Sequence, residues 1–396
     1  MTHHYPTLFD TPVDRNGTDS LKWSKYAGRR SATGEAIIPM WVADMDFAAP
    51  PEVITALQDR VAHGVFGYGH TTPEFLGALT SAMQRDYGWS IRPDWIVPLA
   101  GLVSGLNIAA RSIGEPGDAI VTSTPVYPAL FTSAAHMARE CICVPLDETH
   151  HWSWDMAAVE AAHTSRTKGL MLCHPHNPIG RVWSETELKG IAAYAEKHDL
   201  VVVSDEIHCD LILEPGLRHR PFAMLSPDIA NRTITVMAPS KTYNIPGLGI
   251  AFAIIPNDSL RRRFQAAMAG ITPHPNILGV VATTAAYQQG LPWRTALLDY
   301  LRSNRDLVMA LDGVNGLKVI KPEATYLAWI DCRATGIDQP QAFFESAGVG
   351  LSDGNDFGRK GFVRLNFGCA RATLKTALAR MVAALGGDNP AHQGTP

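Results

Sequence analysis

Six cysteines in 396 residues are few, and their positions, 141, 143, 173, 209, 332 and 369, include no C-x-x-C pair and no dense framework. This spacing excludes a disulfide scaffold and suits a reducing cytosol, where cysteine serves as a small buried apolar residue. Basic residues are not in excess either: 34 Lys and Arg face 38 Asp and Glu, a formal charge of −4. Without a basic surplus the phosphate contacts of nucleic-acid binding have no source, so nucleic acid is excluded as a partner. No stretch approaches the roughly 18 consecutive apolar residues of a membrane span. Met1 to Asp10 carries no Lys, no Arg and no apolar h-region. The expectation is a cytoplasmic protein without membrane attachment. Repeats and low-complexity tracts are also missing.

What is present is the material of a large core: 46% hydrophobic and 18% charged residues, in a chain long enough for two or three domains. From about residue 50 to 290, helical periodicity alternates with short apolar runs. Thr72-Pro73 reads as an N-cap and first helical position and Gly88 as the stop; Ser184 and Glu187 read as a capping box. Ala119 to Thr122, Leu170 to Cys173, Leu200 to Ser204, Thr233 to Met237 and Ile250 to Ile255 are apolar without alternation, as strands covered on both faces must be. This predicts an α/β fold, a mostly parallel doubly wound sheet in a large domain over 50–290. A smaller α+β domain is predicted from 1–49 plus 291–396, with the tail 386–396 disordered.

Ligands of open parallel sheets bind beyond the carboxyl ends of the strands. Four apolar runs end in reactive residues: Asp205-Glu206-Ile207-His208, His174-Pro175-His176-Asn177, Ser240-Lys241, and Gly101-Leu102-Val103, which opens a helix. One cofactor accounts for the set. Pyridoxal 5'-phosphate needs a lysine for its aldehyde, a carboxylate to keep its ring nitrogen protonated, an amide donor to its phenolic oxygen and helix-start N–H groups for its phosphate. Lys241, Asp205, Asn177 and Leu102 with Val103 supply these, and Tyr127 supplies a ring to stack on it. Taken singly each has a plainer reading, a surface lysine, a helix cap or a glycine turn. Their order is harder to dismiss: Asn177 precedes Asp205 by 28 residues and Asp205 precedes Lys241 by 36, room in each case for one crossover.

The motifs GTDSLKWSKY, PMWVADMDF, VFGYGH, PVYP, CHPHNPIGRVW, VVVSDEIHCDL, PSKTYNIPGLG and TYLAWID resemble the MalY/PatB family of carbon–sulfur β-lyases. That family lies within the class I/II aminotransferase superfamily of fold type I pyridoxal phosphate enzymes, and the resemblance runs from about residue 15 to 385. It implies Lys241 as the Schiff-base lysine, Asp205 as the pyridinium partner, Asn177 as donor to the ring oxygen and Tyr127 as the stacking ring. Arg364 in VRLNFG matches the arginine that clamps the substrate α-carboxylate. Tyr68 matches a tyrosine that reaches the neighbouring subunit's site, which implies a homodimer with shared active sites. Ser240, His208 and Tyr68 complete the cofactor set. Two departures stand out. Gly249 occupies the place, eight residues after the lysine, where aminotransferases of the superfamily commonly carry a phosphate-binding Arg. Ala100 stands where the family usually has Pro before the glycine turn.

The imidazoles of His174, His176 and His208 read as groups that orient cofactor or backbone; no metal is expected, since H-P-H splays two rings and Glu206 alternates away from Asp205. Arg261-Arg262-Arg263 reads as a solvated helix face, HWSWD as local packing, and Ser104 and Ser240 lack a nucleophile elbow. The resulting expectation is a pyridoxal phosphate β-lyase converting a sulfur-containing amino acid of the cystathionine type to thiol, pyruvate and ammonia, with a class I/II aminotransferase as the alternative. A cofactor-binding sensor is the remaining rival; it would need a DNA-binding domain that the N-terminal 50 residues do not pattern. Trp41 to Phe47, Tyr68 and residues 351–358 are candidates for the pocket wall.

Overall fold

The computed structural model describes residues 5–386. The expected disorder of the tail thus concerns residues outside the described ones, except Gly386, which ends the helix Arg371–Gly386. Two compact units divide the chain, one of Ala49–Asn177 with Arg181–Thr295, the other of Met1–Ala48, Pro178–Gly180 and Ala296–Pro396.

The first unit is built on seven strands: β1 Ile96–Leu99, β2 Ala119–Thr124, β3 Glu140–Pro145, β4 Thr167–Cys173, β5 Val201–Asp205, β6 Thr233–Met237 and β7 Ala251–Ile254. Their spatial order is β1-β7-β6-β5-β4-β2-β3. Strands β2 to β6 run parallel to each neighbour among themselves, and β7 lies antiparallel between β6 and β1. The non-alternating apolar runs explain the middle of this sheet: Ile120, Leu170, Met171, Val202, Val203 and Ile234 are all wholly inaccessible to solvent, as residues on both faces of a helix-covered sheet must be. The outer strand β3, ECICVP, is half exposed, and its polar interruptions hide it from a search for apolar runs.

Helix ends follow local chemistry. The Thr72 hydroxyl accepts from the Phe75 N–H at 3.2 Å, and Gly88 closes the helix Pro73–Tyr87 at φ +67°. The Ser184–Glu187 capping box forms in full, and Arg181 grips both Glu187 oxygens at 2.6 and 3.1 Å. One expectation is corrected. Arg262 and Arg263 are exposed, but Arg261 is only 9% exposed: its guanidinium turns back to donate to the Ile255 carbonyl at 2.8 Å and to Asp258 at 2.7 Å. An arginine can bury its stem and head where backbone carbonyls and a carboxylate receive its donors.

The second unit carries an antiparallel sheet of β8 Lys318–Ile320, β9 Leu327–Asp331, β10 Ser352–Asp353 and β11 Phe362–Asn366, in the order β10-β11-β9-β8. Its N-terminal segment is tied in by a parallel pairing of Ile38–Pro39 with Val349–Gly350. Charge pins it as well: Arg15 and the almost fully buried Lys22 meet Asp44 and Asp46 at 2.6 to 2.8 Å.

Candidate active site

Strand register brings the reactive residues of the first unit to one level. Cys173, the last residue of β4, is opposite Asp205, the last of β5, and Asp205 is opposite Val236 of β6. The Asp205 carboxylate is 2% exposed and accepts the Ile207 N–H at 3.1 Å. Burial pushes its pKa up to about 7; the Ile207 N–H and the charge of Lys241 oppose that rise, and neighbouring Glu206 reinforces it. A carboxylate so deeply buried favours ionisation only when a cation joins it.

Asn177 follows β4 by a short turn that sulfur and indole hold in place. Its N–H points at Cys173 Sγ at 3.4 Å, and the Cys173 carbonyl accepts from Trp183 Nε1 at 2.8 Å. The Asn177 carbonyl accepts the Tyr127 N–H at 2.9 Å, so the backbone segments that carry the predicted amide and ring are joined. His176 Nε2 lies 2.8 Å from the Pro125 carbonyl and ties the same two segments together; His174 Nε2 lies 3.2 Å from the Arg220 carbonyl. Burial lowers the pKa of both imidazoles, to about 4 and about 3, so both act as neutral struts for the backbone. His208, 2% exposed, turns the chain after β5, its carbonyl accepting from Leu211 N–H.

Lys241 follows β6 in a tight turn. The Tyr243 N–H bonds the Pro239 carbonyl at 2.9 Å and the Ile245 N–H bonds the carbonyl of buried Ser240 at 3.1 Å. Tyr243 anchors the turn, fully buried between the rings of Tyr287 and Trp293 at 5.9 and 6.2 Å. Gly290 permits this: a Cβ there would lie 2.7 Å from the Tyr243 ring.

The turn after β1 leads into the helix Leu102–Ser112, whose N-cap Gly101 supplies no side-chain acceptor. Its first-turn N–H groups, including those of Leu102 and Val103, are thus left to a ligand. Gly249 faces this turn. It is left-handed at φ +55°, and a Cβ on it would stand 3.3 Å from the Ala100 carbonyl, so a side chain there would be strained and would crowd this turn.

Behind these residues is a buried polar layer that sequence reasoning missed. Glu206 accepts from the Ser204 hydroxyl at 2.8 Å and the Phe222 N–H at 2.9 Å and meets His219 Nε2 at 2.6 Å. Asp210 accepts from Tyr87 Oη at 2.5 Å, from Arg294 at 2.7 Å and from the Thr242 hydroxyl at 3.4 Å. Arg294 also clasps Asp86 at 3.0 and 3.1 Å. Because Thr242 follows Lys241, this network fixes the lysine turn from below. The one signal in the sequence is Asp210, an acid within the apolar run CDLIL; its partners are too distant in sequence to pair by inspection.

Arg364 belongs to the other unit. In β11 it stands opposite Trp329 and Ser352, donates to the Trp41 carbonyl at 2.8 Å and lies face-on to the Phe357 ring, 4.6 Å from its centre. Residues from both candidate wall segments thus orient it. Tyr68 is 96% exposed, its ring 5.8 Å from that of His274, and its exposed neighbours are Val65 and Phe66.

The donor set of the first unit fits pyridoxal phosphate: a deeply buried carboxylate, an amide, an amine near the carboxylate, and a helix start without a side-chain cap. Known proteins agree with that chemistry. The chain is 37% identical over 391 residues to cystathionine β-lyase PatB of Bacillus subtilis, covering 95% of this chain and 99% of that protein. The crystal structure of OvoB superposes with a TM-score of 0.92 at 45% identity, covering 96% of this chain and all of the other. The pyridoxal phosphate-bound C–S lyase of Staphylococcus hominis gives 0.88 at 32% identity, covering 96% and 98%. Residues 36–381 match the aminotransferase class I and II family, and the chain belongs to that family, among the fold type I relatives of PatB and MalY.

Proposed function

We propose that the protein is a pyridoxal phosphate-dependent carbon–sulfur β-lyase that cleaves cysteine S-conjugates of the cystathionine type. The observation that carries this reading is the strand-end set of Asp205, Asn177, Tyr127 and Lys241, joined by a helix-start turn beside which Gly249 stands in left-handed backbone. Relatives that carry the name cystathionine β-lyase, at 32% and 37% identity, support it. When bound, the cofactor supplies a protonated pyridine ring that draws electron density from the substrate Cα.

The chain's own residues do the rest. Asp205 holds the proton on the ring nitrogen, and Asn177 donates to the ring oxygen. Tyr127 stacks, while the N–H groups of Leu102 and Val103, Ser240 and Tyr68 of the partner subunit receive the phosphate. Lys241 would hold the cofactor's aldehyde end, and its free Nζ would take the Cα proton as general base. Arg364 grips the substrate α-carboxylate. Overall, the Cβ–S bond breaks and water is consumed, giving thiol, pyruvate and ammonia.

A homodimer in which Tyr68 serves the partner's site belongs to the same reading, supported by the exposure of Val65, Phe66 and Tyr68 at 63%, 57% and 96%. No described helix is long and apolar enough to cross a membrane, in keeping with a cytoplasmic enzyme. Cofactor-loaded protein is expected to release pyruvate and homocysteine from cystathionine, and Lys241→Ala is expected to lose both turnover and the visible absorbance of bound cofactor. Amino-group transfer to a 2-oxo acid without pyruvate release would establish the aminotransferase reading instead.

A further inference from the structure

None of the residues assigned to the reaction lies on β3, the outer strand of the large sheet, yet that strand carries a pair of sulfurs. Cys141 and Cys143 are two residues apart on an extended strand and therefore point to the same face. Their Sγ atoms are 3.5 Å apart. Cys143 is exposed and Cys141 half-buried, whereas Cys173, Cys209, Cys332 and Cys369 are all buried. The sulfur–sulfur hydrogen bond lowers the pKa of the Cys143 thiol and raises that of Cys141.

Two uses of such a pair compete, and strand geometry decides between them. Residues i and i+2 of a strand are about 6.6 Å apart in Cα, close to the ~6.8 Å upper end for a disulfide, whose sulfurs must close to about 2.05 Å. A single bridging atom asks for much less. Two thiolates on one centre at about 2.3 Å, the zinc–thiolate length, are about 3.3 to 3.8 Å apart as the angle at that centre widens from about 90° in a pyramidal site to about 109° in a tetrahedral one, a range that includes the separation already present. We propose that Cys141 and Cys143 form a dithiol clip for a soft, thiophilic centre that demands two sulfurs, trivalent arsenic being the case to test. With an arsenoxide, two S–H bonds break, two As–S bonds form, and the oxygen leaves with both protons as water; no electrons change hands.

The probe is phenylarsine oxide, added to the cofactor-loaded protein. One arsenical is expected to bind per chain, with loss of two accessible thiols by titration and one added mass on the intact chain. Cys143→Ser, at an exposed position, is expected to fold normally and to weaken binding by a factor on the order of 10², the loss of an intramolecular second bond; Cys141→Ser is expected to do the same. Equal binding by the wild type and either variant would overturn the proposal. So would a wild type that refuses the arsenical but closes to a disulfide with diamide.

Discussion

Replacing Asp205 by Asn removes a charge from a position where the fold opposes it, so a change expected to abolish the proposed activity is also expected to stabilise the cofactor-free protein. The carboxyl is buried, and its pKa rises from 3.8 to about 7. Below about pH 4 both folded and unfolded chains hold the proton and the group contributes nothing to the pH dependence. Between about 4 and 7 the folded chain keeps a proton that the unfolded chain has lost, so stability falls with rising pH, by about 1.4 kcal/mol per pH unit. Above about 7 both states are ionised and the cost levels off at about 4 kcal/mol. Asn has almost the same shape and retains an acceptor for the Ile207 N–H. Denaturant unfolding of cofactor-free wild type and Asp205→Asn at pH 5, 6, 7 and 8 is therefore expected to show an advantage for the variant that grows to pH 7 and then holds. With cofactor bound the order should reverse, because the ring nitrogen's proton would add a positive partner for the buried carboxylate. A variant that is destabilised at pH 8, or whose advantage does not change with pH, would refute the account.

Three other perturbations test the surrounding architecture. Arg294→Ala strips Asp210 and Asp86 of their shared partner and should cost about 3–5 kcal/mol, as the loss of one member of a buried ion pair does, read as a lower denaturation midpoint. Gly249→Ala places a side chain in left-handed backbone beside the Ala100 carbonyl and should cost about 1–2 kcal/mol, while weakening cofactor retention on dialysis. Arg364→Lys keeps the charge but loses the planar fork and its seat on Phe357; KM for the amino-acid substrate should rise about tenfold or more with the cofactor's absorbance unchanged.

Features written within a few residues of each other were legible in the chain. Thr72, Pro73 and Gly88 bound a helix because capping is local, and Ser184 with Glu187 did the same for another. The buried strands declared themselves because a sheet covered on both faces tolerates no polar alternation. The strand β3 did not, because its exposed edge admits Glu140 and two cysteines among its apolar residues. Arg261 was misjudged for a related reason: a charged run looks solvated until a carbonyl from the preceding strand is known to be within reach. Hardest of all were partners separated along the chain, since Tyr87 meets Asp210 across 123 residues and Arg294 meets it across 84, and no periodicity encodes such a meeting.

The segment Asp205-Glu206-Ile207-His208-Cys209-Asp210 holds three acids, and composition does not say which one is chemical. The count of donors does. Glu206 has three partners, in the Ser204 hydroxyl, the Phe222 N–H and His219. Asp210 also has three, in Tyr87, Arg294 and Thr242. Asp205 has one hydrogen-bond donor among the described residues, the Ile207 N–H, although it is buried as deeply as the others. Strand alternation explains the division: at the end of β5 consecutive side chains leave in opposite directions, so Glu206 enters the polar layer and Asp205 is turned away from it. Buried carboxylates are normally supplied with donors by their own fold. The one with the fewest donors from its own fold is the one best suited to receive a proton-bearing group from outside the chain, and that is the physical ground on which the proposed cofactor role falls to Asp205 and to neither neighbouring acid.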